Sequence, residues 1–565
     1  MEPVARVSQN LRRRIIPIGS RHVHLWTGGT GPAVILIHGS PGNAWLVTPL
    51  AKRLMDRFSV YAVDSPGFGS SDSLPATVEH VAQLADAYGE LLDSLGLGTV
   101  LVYGTHSGAA IGLELAHRHP TRVAGFVLEG VPIFTLEEQR PLLAPEYLVP
   151  LEPDILGGHY ARAWTRFHDQ FVWFPWYQRN VAHLNEAPAG SAADIHLWVE
   201  MYFQAMRHEY RPAYRAVIRH GTAAVAAARN LAMPGVFLAE RSDMLFGHLD
   251  RLPPLRTDQH IVRVMETAEV RKRIEAALCS LPVSSAVAMP PAADARIDRG
   301  FADLPHGQLW VRAHTAGEGQ PCLLLHDAPG AGRGLIDLYH ALRAYGPVLL
   351  PDLPGCGESD PTLPGGGAPT LASFADAMAA MLRARADRPV HVYGVGFGAA
   401  VALELHSRHP GLVDRLTLTG LLRTDGAERR AMIGRLAPPI QLADDGSHWY
   451  RTWLMLRNSL VRWPWYSREP AALRRQPLAL DPEQLHAWTC DVMRQWHSYH
   501  QLIDAVLDWS PAESLSRQGS RLTIAIDALH PLFTSDAEWA IAGTASLRLP
   551  DDPADRARVI TAAGC

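Results

Sequence analysis

Gly104-Thr105-His106-Ser107-Gly108 sets an imidazole and a hydroxyl between glycines, where an apolar run, TVLVYG, meets a helix-patterned run, AAIGLELAHRH. A residue at the tip of so sharp a strand-to-helix reversal is held in a strained conformation, needs glycine on its flanks and presents its side chain outward. An imidazole there can take a proton as a general base or donate a hydrogen bond to a developing oxyanion. The following helix N-terminus disfavours a cation, so a neutral His106 is expected. The turn returns as Gly394-Val395-Gly396-Phe397-Gly398, and neither copy keeps Ser, Cys or Asp at the tip. A shifted register would offer Ser107 as a nucleophile. However, Gly108-Ala109-Ala110 and Glu114-Leu115 match Gly398-Ala399-Ala400 and Glu404-Leu405 without a gap, which sets His106 opposite Gly396.

The two turns belong to a long internal repeat. His38 to His326 is 288 residues, Asp64 to Asp352 is 288 and Gly104 to Gly394 is 290. The match runs on through HYARAWTRFHDQFVWFPWY from His159 and HWYRTWLMLRNSLVRWPWY from His448, so whole domains were duplicated. A period this long means two globular units rather than a solenoid. Residues 1–280 and 301–565 are the expected domains, joined by a Pro-, Ala- and Ser-rich linker over 281–300. Such a fused pair imitates a homodimer while freeing one copy from catalysis.

Each copy alternates short apolar runs with amphipathic helical stretches. AVILIH, SVYAVD and TVLVYG read as buried strands, and VEHVAQLADAYGELLDSLG as a helix between them. That alternation predicts an α/β fold with a mostly parallel sheet covered on both faces. Residues of about 131–225 and 421–510 are helical and rich in Trp and Tyr, and read as caps inserted over the strand ends to shield a pocket.

The 565 residues suit two domains, with 47% hydrophobic and 19% charged residues. No apolar run approaches the roughly 20 residues that span a bilayer. MEPVARVSQNLRRRIIPIG carries basic residues but no apolar run after them, so no secretory signal is read and the cytoplasm is the expected location. The five cysteines, Cys279, Cys322, Cys356, Cys490 and Cys565, lack CxxC spacing, against disulfides or a zinc site. A net charge of -5 with no basic cluster gives no footprint for nucleic acid. A small-molecule ligand is expected, apolar or polycyclic if the cap aromatics line a pocket, with no cofactor, metal or membrane partner. The arginine-, alanine- and glycine-rich composition resembles that of a bacterium with a GC-rich genome.

Three signatures in order, each repeated, resemble those of the α/β-hydrolase superfamily, and within it the capped epoxide hydrolase and haloalkane dehalogenase branch. They are His38-Gly39-Ser40-Pro41, the Asp64 to Asp72 turn DSPGFGSSD, and the Gly104 to Gly108 elbow, answered by His326-Asp327-Ala328-Pro329, DLPGCGESD from Asp352, and the second elbow. The resemblance covers nearly the whole chain twice. It implies an acid after a later strand, where GVFLAERSDMLF supplies Asp243, and a base before the last helix, where His260 stands. If IVRVM is itself the last strand, His260 lies at its wrong end. Backbone N–H groups of Gly39, Ser40 and Ser107 are the implied oxyanion donors.

In the second copy the acid's place falls to His530, and the final segment, SLRLPDDPADRARVITAAGC, holds no histidine, so no hydrolytic triad can form there. These residues point to a non-hydrolytic enzyme of cyclase, lyase or isomerase type in bacterial specialised metabolism, with its site in the first domain. The alternatives are a hydrolase using Ser107 or a His-activated water, a covalent His106, a His106, Asp243 and His260 metal site, and a non-catalytic binding protein. His38 and His326 are read as part of their turns, His119 and His409 as structural, and Tyr177 or Tyr202 as possible cap acids.

Overall fold

The computed structural model describes residues 11–185, 189–283, 298–361, 363, 368–422, 426–474, 480–510, 514–515, 521–527, 530 and 545–562. Most of the expected linker therefore lies outside the described residues. The chain divides into two compact units, one of residues 1–152, 159–292 and 444–446, the other of 153–158, 293–443 and 447–565.

The first unit is built on eight strands: β1 (Arg12–Ile18), β2 (Arg21–Gly28), β3 (Ala33–Ile37), β4 (Ser59–Val63), β5 (Val100–Thr105), β6 (Val123–Glu129), β7 (Gly235–Glu240) and β8 (Gln259–Val264). Their order is β1-β2-β4-β3-β5-β6-β7-β8. β1 and β2 pair antiparallel through the Gly19-Ser20 turn, β2 runs antiparallel to β4, and the pairs from β4 onward are parallel. All five residues of β3 are buried, as expected of a strand covered on both faces. Val34, Leu36, Leu101, Val127 and Leu238 pack one face against Leu278 of the helix Val270–Ser280.

Between β6 and β7 the chain leaves the sheet to form a helical cap, Leu136–Leu143, Gly158–Val172, Ala192–Met206 and Arg211–Arg229. The last of these breaks at Gly221 and packs on the elbow helix, with His220 Nε2 3.4 Å from Glu114 Oε1. The cap aromatics are engaged with one another. Arg166 lies over Phe167, Trp176 and Tyr202, and Trp176 donates to the Tyr147 carbonyl at 3.2 Å. Tyr177 and Tyr202, considered as acids, donate their hydroxyls to the carbonyls of Pro141 and Val149, each at 3.0 Å. The Tyr147 and Tyr214 hydroxyls face each other at 3.1 Å.

The second unit repeats the design with β9 (Arg299–Leu304), β10 (Gly307–His314), β11 (Cys322–Leu325), β12 (Val348–Pro351), β13 (Val390–Val395), β14 (Val413–Thr419), β15 (Leu522–Ile526) and β16 (Ala545–Arg548). Their order, β16-β15-β14-β13-β11-β12-β10-β9, is that of the first sheet read from its other edge. The expected α/β architecture, two mostly parallel sheets in tandem, is present. Among the described residues no helix is long and apolar enough to cross a membrane.

Candidate active site

His106 is the tip of the first elbow. Its φ of 52° is one of only two positive values at non-glycine residues among the described residues, and Gly396 repeats the geometry at 57°. The flanking glycines are dictated by contact. A Cβ on Gly104 would lie 2.2 Å from the Gly108 carbonyl oxygen, and one on Gly108 would lie 2.2 Å from that of Ile37. β5 and the helix Ser107–Arg118 can therefore meet only where both side chains are absent.

The imidazole is not solitary. His106 Nε2 lies 2.8 Å from Asp243 Oδ2, and the Leu245 N–H donates to Asp243 Oδ1 at 2.8 Å, fixing the carboxylate. Desolvation alone would lower the imidazole pKa. The Asp243 charge, its hydrogen bond and then the charge of Glu129 override that and push it up to about 9. Burial would likewise raise the Asp243 carboxyl, but His106 and the Leu245 N–H hold it below its ordinary value. The direction runs against the neutral imidazole expected from the helix terminus. Two nearby carboxylates work against the partial charge of a helix terminus and favour the protonated ring.

The second carboxylate went unnoticed in the sequence. Glu129 ends β6 in register with Thr105 at the end of β5, and its side chain accepts the Tyr103 hydroxyl. Burial pushes the Glu129 pKa up, against the pull of Tyr103 and His106. A signal existed. Glu129 closes the apolar run of β6, whose C-terminal end is where ligands meet a parallel sheet, while its counterpart at offset 290 is Thr419.

His260 does not join the site. It is the second residue of β8, level with Val236, and is exposed, whereas Asp243 follows the far end of β7. The four residue steps from Val236 to Glu240 alone span roughly 13 Å. QHIVRV is the last strand of this sheet, so Met265 and Glu266 follow it where a base would stand. A metal site of His106, Asp243 and His260 is therefore not assembled. Accordingly, His260→Ala is expected to leave the His106 titration midpoint at about 9, as read by NMR. His248, five residues past Asp243, is occupied too: its Nδ1 accepts the Ile133 N–H at 2.9 Å, and burial lowers its pKa to about 4.

The remaining named groups gather at the elbow. A Cβ on Gly39 would lie 3.4 Å from His106 Cβ. The Ser40 N–H donates to Ser107 Oγ at 2.6 Å, and Ser107 Oγ donates to Ser40 Oγ at 2.9 Å. The Ser40 N–H is thus already taken by a hydroxyl, which corrects its assignment as an oxyanion donor. The Ser107 N–H, at the first turn of its helix, meets no protein acceptor among the described residues. His38 belongs to its turn, with Nδ1 donating to the Gly39 carbonyl at 3.0 Å and Nε2 accepting the Ser65 N–H at 3.0 Å. His326 does the same with Asp327 and Leu353. His119 and His409 pair with Asp86 and Asp376 at the ends of their helices.

The second elbow carries a different pair. Asp327, in the place of Gly39, turns its carboxylate inward. Asp327 Oδ1 accepts the Phe397 N–H at 2.8 Å and the Ala328 N–H at 2.9 Å. His530 Nε2 lies 3.5 Å from Asp327 Oδ2. His530 has indeed taken Asp243's position: a Cβ on Gly130 would lie 3.0 Å from Asp243 Oδ2, and one on Gly420 would lie 2.1 Å from His530 Cε1. Both units thus hold a histidine against a carboxylate at the elbow, but in the second the histidine stands where Asp243 does and the carboxylate comes from the loop position of Gly39, not from the tip.

A family model described as "alpha/beta hydrolase fold" matches residues 32–148, and one described as "Alpha/beta hydrolase family" matches residues 322–559. Curated relatives include a fluoroacetate dehalogenase of Burkholderia sp, 26% identical over 26% of this chain and 55% of its own. Haloalkane dehalogenase 2 of Mycobacterium tuberculosis is 35% identical over 19% of this chain and 37% of its own. The chain thus spans between about a third and a little over half the length of these relatives. Among solved structures, Epoxide Hydrolase A from Mycobacterium thermoresistibile is 21% identical, with a TM-score of 0.38, over 48% of this chain and 100% of its own. The chain belongs to the α/β-hydrolase superfamily, as two such domains in tandem.

Proposed function

We propose that the first unit is a cofactor-free acid–base enzyme of cyclase, lyase or isomerase type acting on a carbonyl compound, with the second unit as its scaffold. The observation that carries this reading is the 2.8 Å His106–Asp243 pair on a strained elbow tip that bears no nucleophile. As an imidazolium, His106 donates a hydrogen bond or a proton to the oxygen on which charge develops, and Asp243 keeps it oriented and charged. Glu129, a carboxylate of raised pKa beside that cation, is the proton acceptor. The substrate is a small organic molecule, and a role in bacterial specialised metabolism fits the composition.

The described geometry supports the hydrolytic alternatives less well. Ser107 Oγ is bonded to Ser40 and has no imidazole partner among the described residues, and a water-activating His106 would have to be neutral, which its pKa pushed up to about 9 opposes. The test is turnover of enolisable or cyclisable carbonyl compounds in ¹⁸O-labelled water. His106→Gln should reduce the rate on the order of 10²–10⁴-fold, while His530→Ala leaves it unchanged. Label from water in a newly cleaved product would instead establish a hydrolase, and full turnover without His106 would remove the proposal.

A further inference from the structure

In the first unit Arg21 opens β2 as a buried side chain, and its guanidinium donates to Glu90 of the helix Val81–Ser94. Register fixes the counterparts in the second unit. Arg21 pairs with Ile18 across its hairpin as Gly307 pairs with Leu304. Arg118 holds Asp86 as Arg408 holds Asp376, and four residues further along these helices Glu90 answers to Ala380. The second unit has thus lost both halves of a buried ion pair, one to Gly307 and the other to Ala380. Both replacements line a cavity of about 240 Å³ between the β9–β10 hairpin and the helix Leu371–Arg385.

That volume lies below the ~300 Å³ at which sites for drug-sized ligands begin, so it suits a group of a few heavy atoms. Leu304, Leu309 and Ala377 supply an apolar wall for a short stem, and two carboxylates supply charge. Asp360 is 1% exposed and accepts the Gln308 N–H at 2.8 Å. Asp376 faces two N–H groups of Arg408 and the His409 ring, which leaves one of its four lone-pair sites, on Oδ2. Among the described residues no lysine or arginine lines the cavity, and His306 stands at its exposed rim. We propose that this cavity binds a small organic cation, a guanidinium on a short alkyl stem, in the place where the first unit keeps the Arg21 side chain. An ammonium would bring the charge without the planar fork of that side chain. The site makes no use of the His106 elbow and gives the scaffold unit a ligand of its own.

The test is calorimetric titration of the full chain with n-propylguanidinium and with n-propylurea, its neutral isostere. The cation should bind saturably, one per chain, with a Kd on the order of 1 mM, and should shift the His306 resonances of ¹⁵N-histidine-labelled protein. The urea should bind at least about tenfold more weakly. Gly307→Arg with Ala380→Glu, which copies the first unit's ion pair into the slot, should abolish binding. Ala380→Glu alone, which adds a carboxylate in the place of Glu90 without the competing side chain, should tighten binding about threefold. Equal affinity for the two probes would mean a plain apolar cavity, and unchanged binding in the double variant would mean a site elsewhere. Either result, no saturable binding, or no tightening in Ala380→Glu overturns the proposal.

Discussion

Asp243→Asn should bring the His106 titration midpoint from about 9 to below the ordinary imidazole value of 6.5, as followed by NMR across the pH range. The argument is a balance of opposed effects. Desolvation pulls the imidazole down, and only the Asp243 charge, its hydrogen bond and Glu129 carry it up. Removing the first two leaves Glu129 alone against desolvation, and Glu129 is itself a carboxyl of raised pKa. His106 would then be neutral at pH 7.5, the state first expected of it. As the proposed acid is lost with its charge, the rate should fall on the order of 10³-fold at that pH. A midpoint that stays near 9 would show that Asp243 does not set it.

The same pair makes stability depend on pH, with a definite sign. A histidine whose pKa is raised on folding stabilises fully below its unfolded value of 6.5 and loses that contribution as pH rises through about 9. Asp243, whose pKa is lowered, stabilises above its unfolded value of 3.8 and loses that contribution as pH falls through its folded value. The pair therefore supports the fold most between pH 3.8 and 6.5 and fades toward 9. With 44% of the His106 side chain exposed, water screens the interaction, and the gain in stability is smaller than the pKa shift suggests.

Much of this was legible in the chain because strand, elbow and repeat are written in local spacing. The buried runs AVILI, SVYAV and VLVYGT became β3, β4 and β5, and the gapless match after Gly108 placed His106 at the tip, where its φ of 52° confirms it. What failed depended on which strand end faces which. His260 lies only 17 residues past Asp243, yet a parallel strand puts its first residue at the far side of the sheet from the loop before it. The charge of His106 was misjudged for a similar reason. Helix polarity can be read from position, but the charge of Glu129 acts on the ring only because β5 and β6 are neighbours in register, a pairing that sequence distance hides. Nor could residue types alone show that the Asp327 carboxylate folds back onto the elbow helix.

Gly396→Ala should destabilise the second unit by roughly 2–4 kcal/mol, while the same change in an Asp327→Gly background should cost about 1–2 kcal/mol. A Cβ on Gly396 would lie 2.0 Å from Asp327 Oδ1, so any side chain at the tip must expel the carboxylate. Expulsion leaves the Phe397 and Ala328 N–H groups without their shared acceptor, and to that is added the strain of alanine at a φ of 57°. Once Asp327 is glycine, only the strain remains. The tip glycine and the inward aspartate therefore form one unit, and neither is explained by a bare loss of catalysis. A glycine that had merely relaxed after losing its task would tolerate alanine equally in both backgrounds. The double-mutant cycle, read from the second unit's transition in urea, separates the two accounts: equal costs would mean that Asp327 does not hold Gly396 in place.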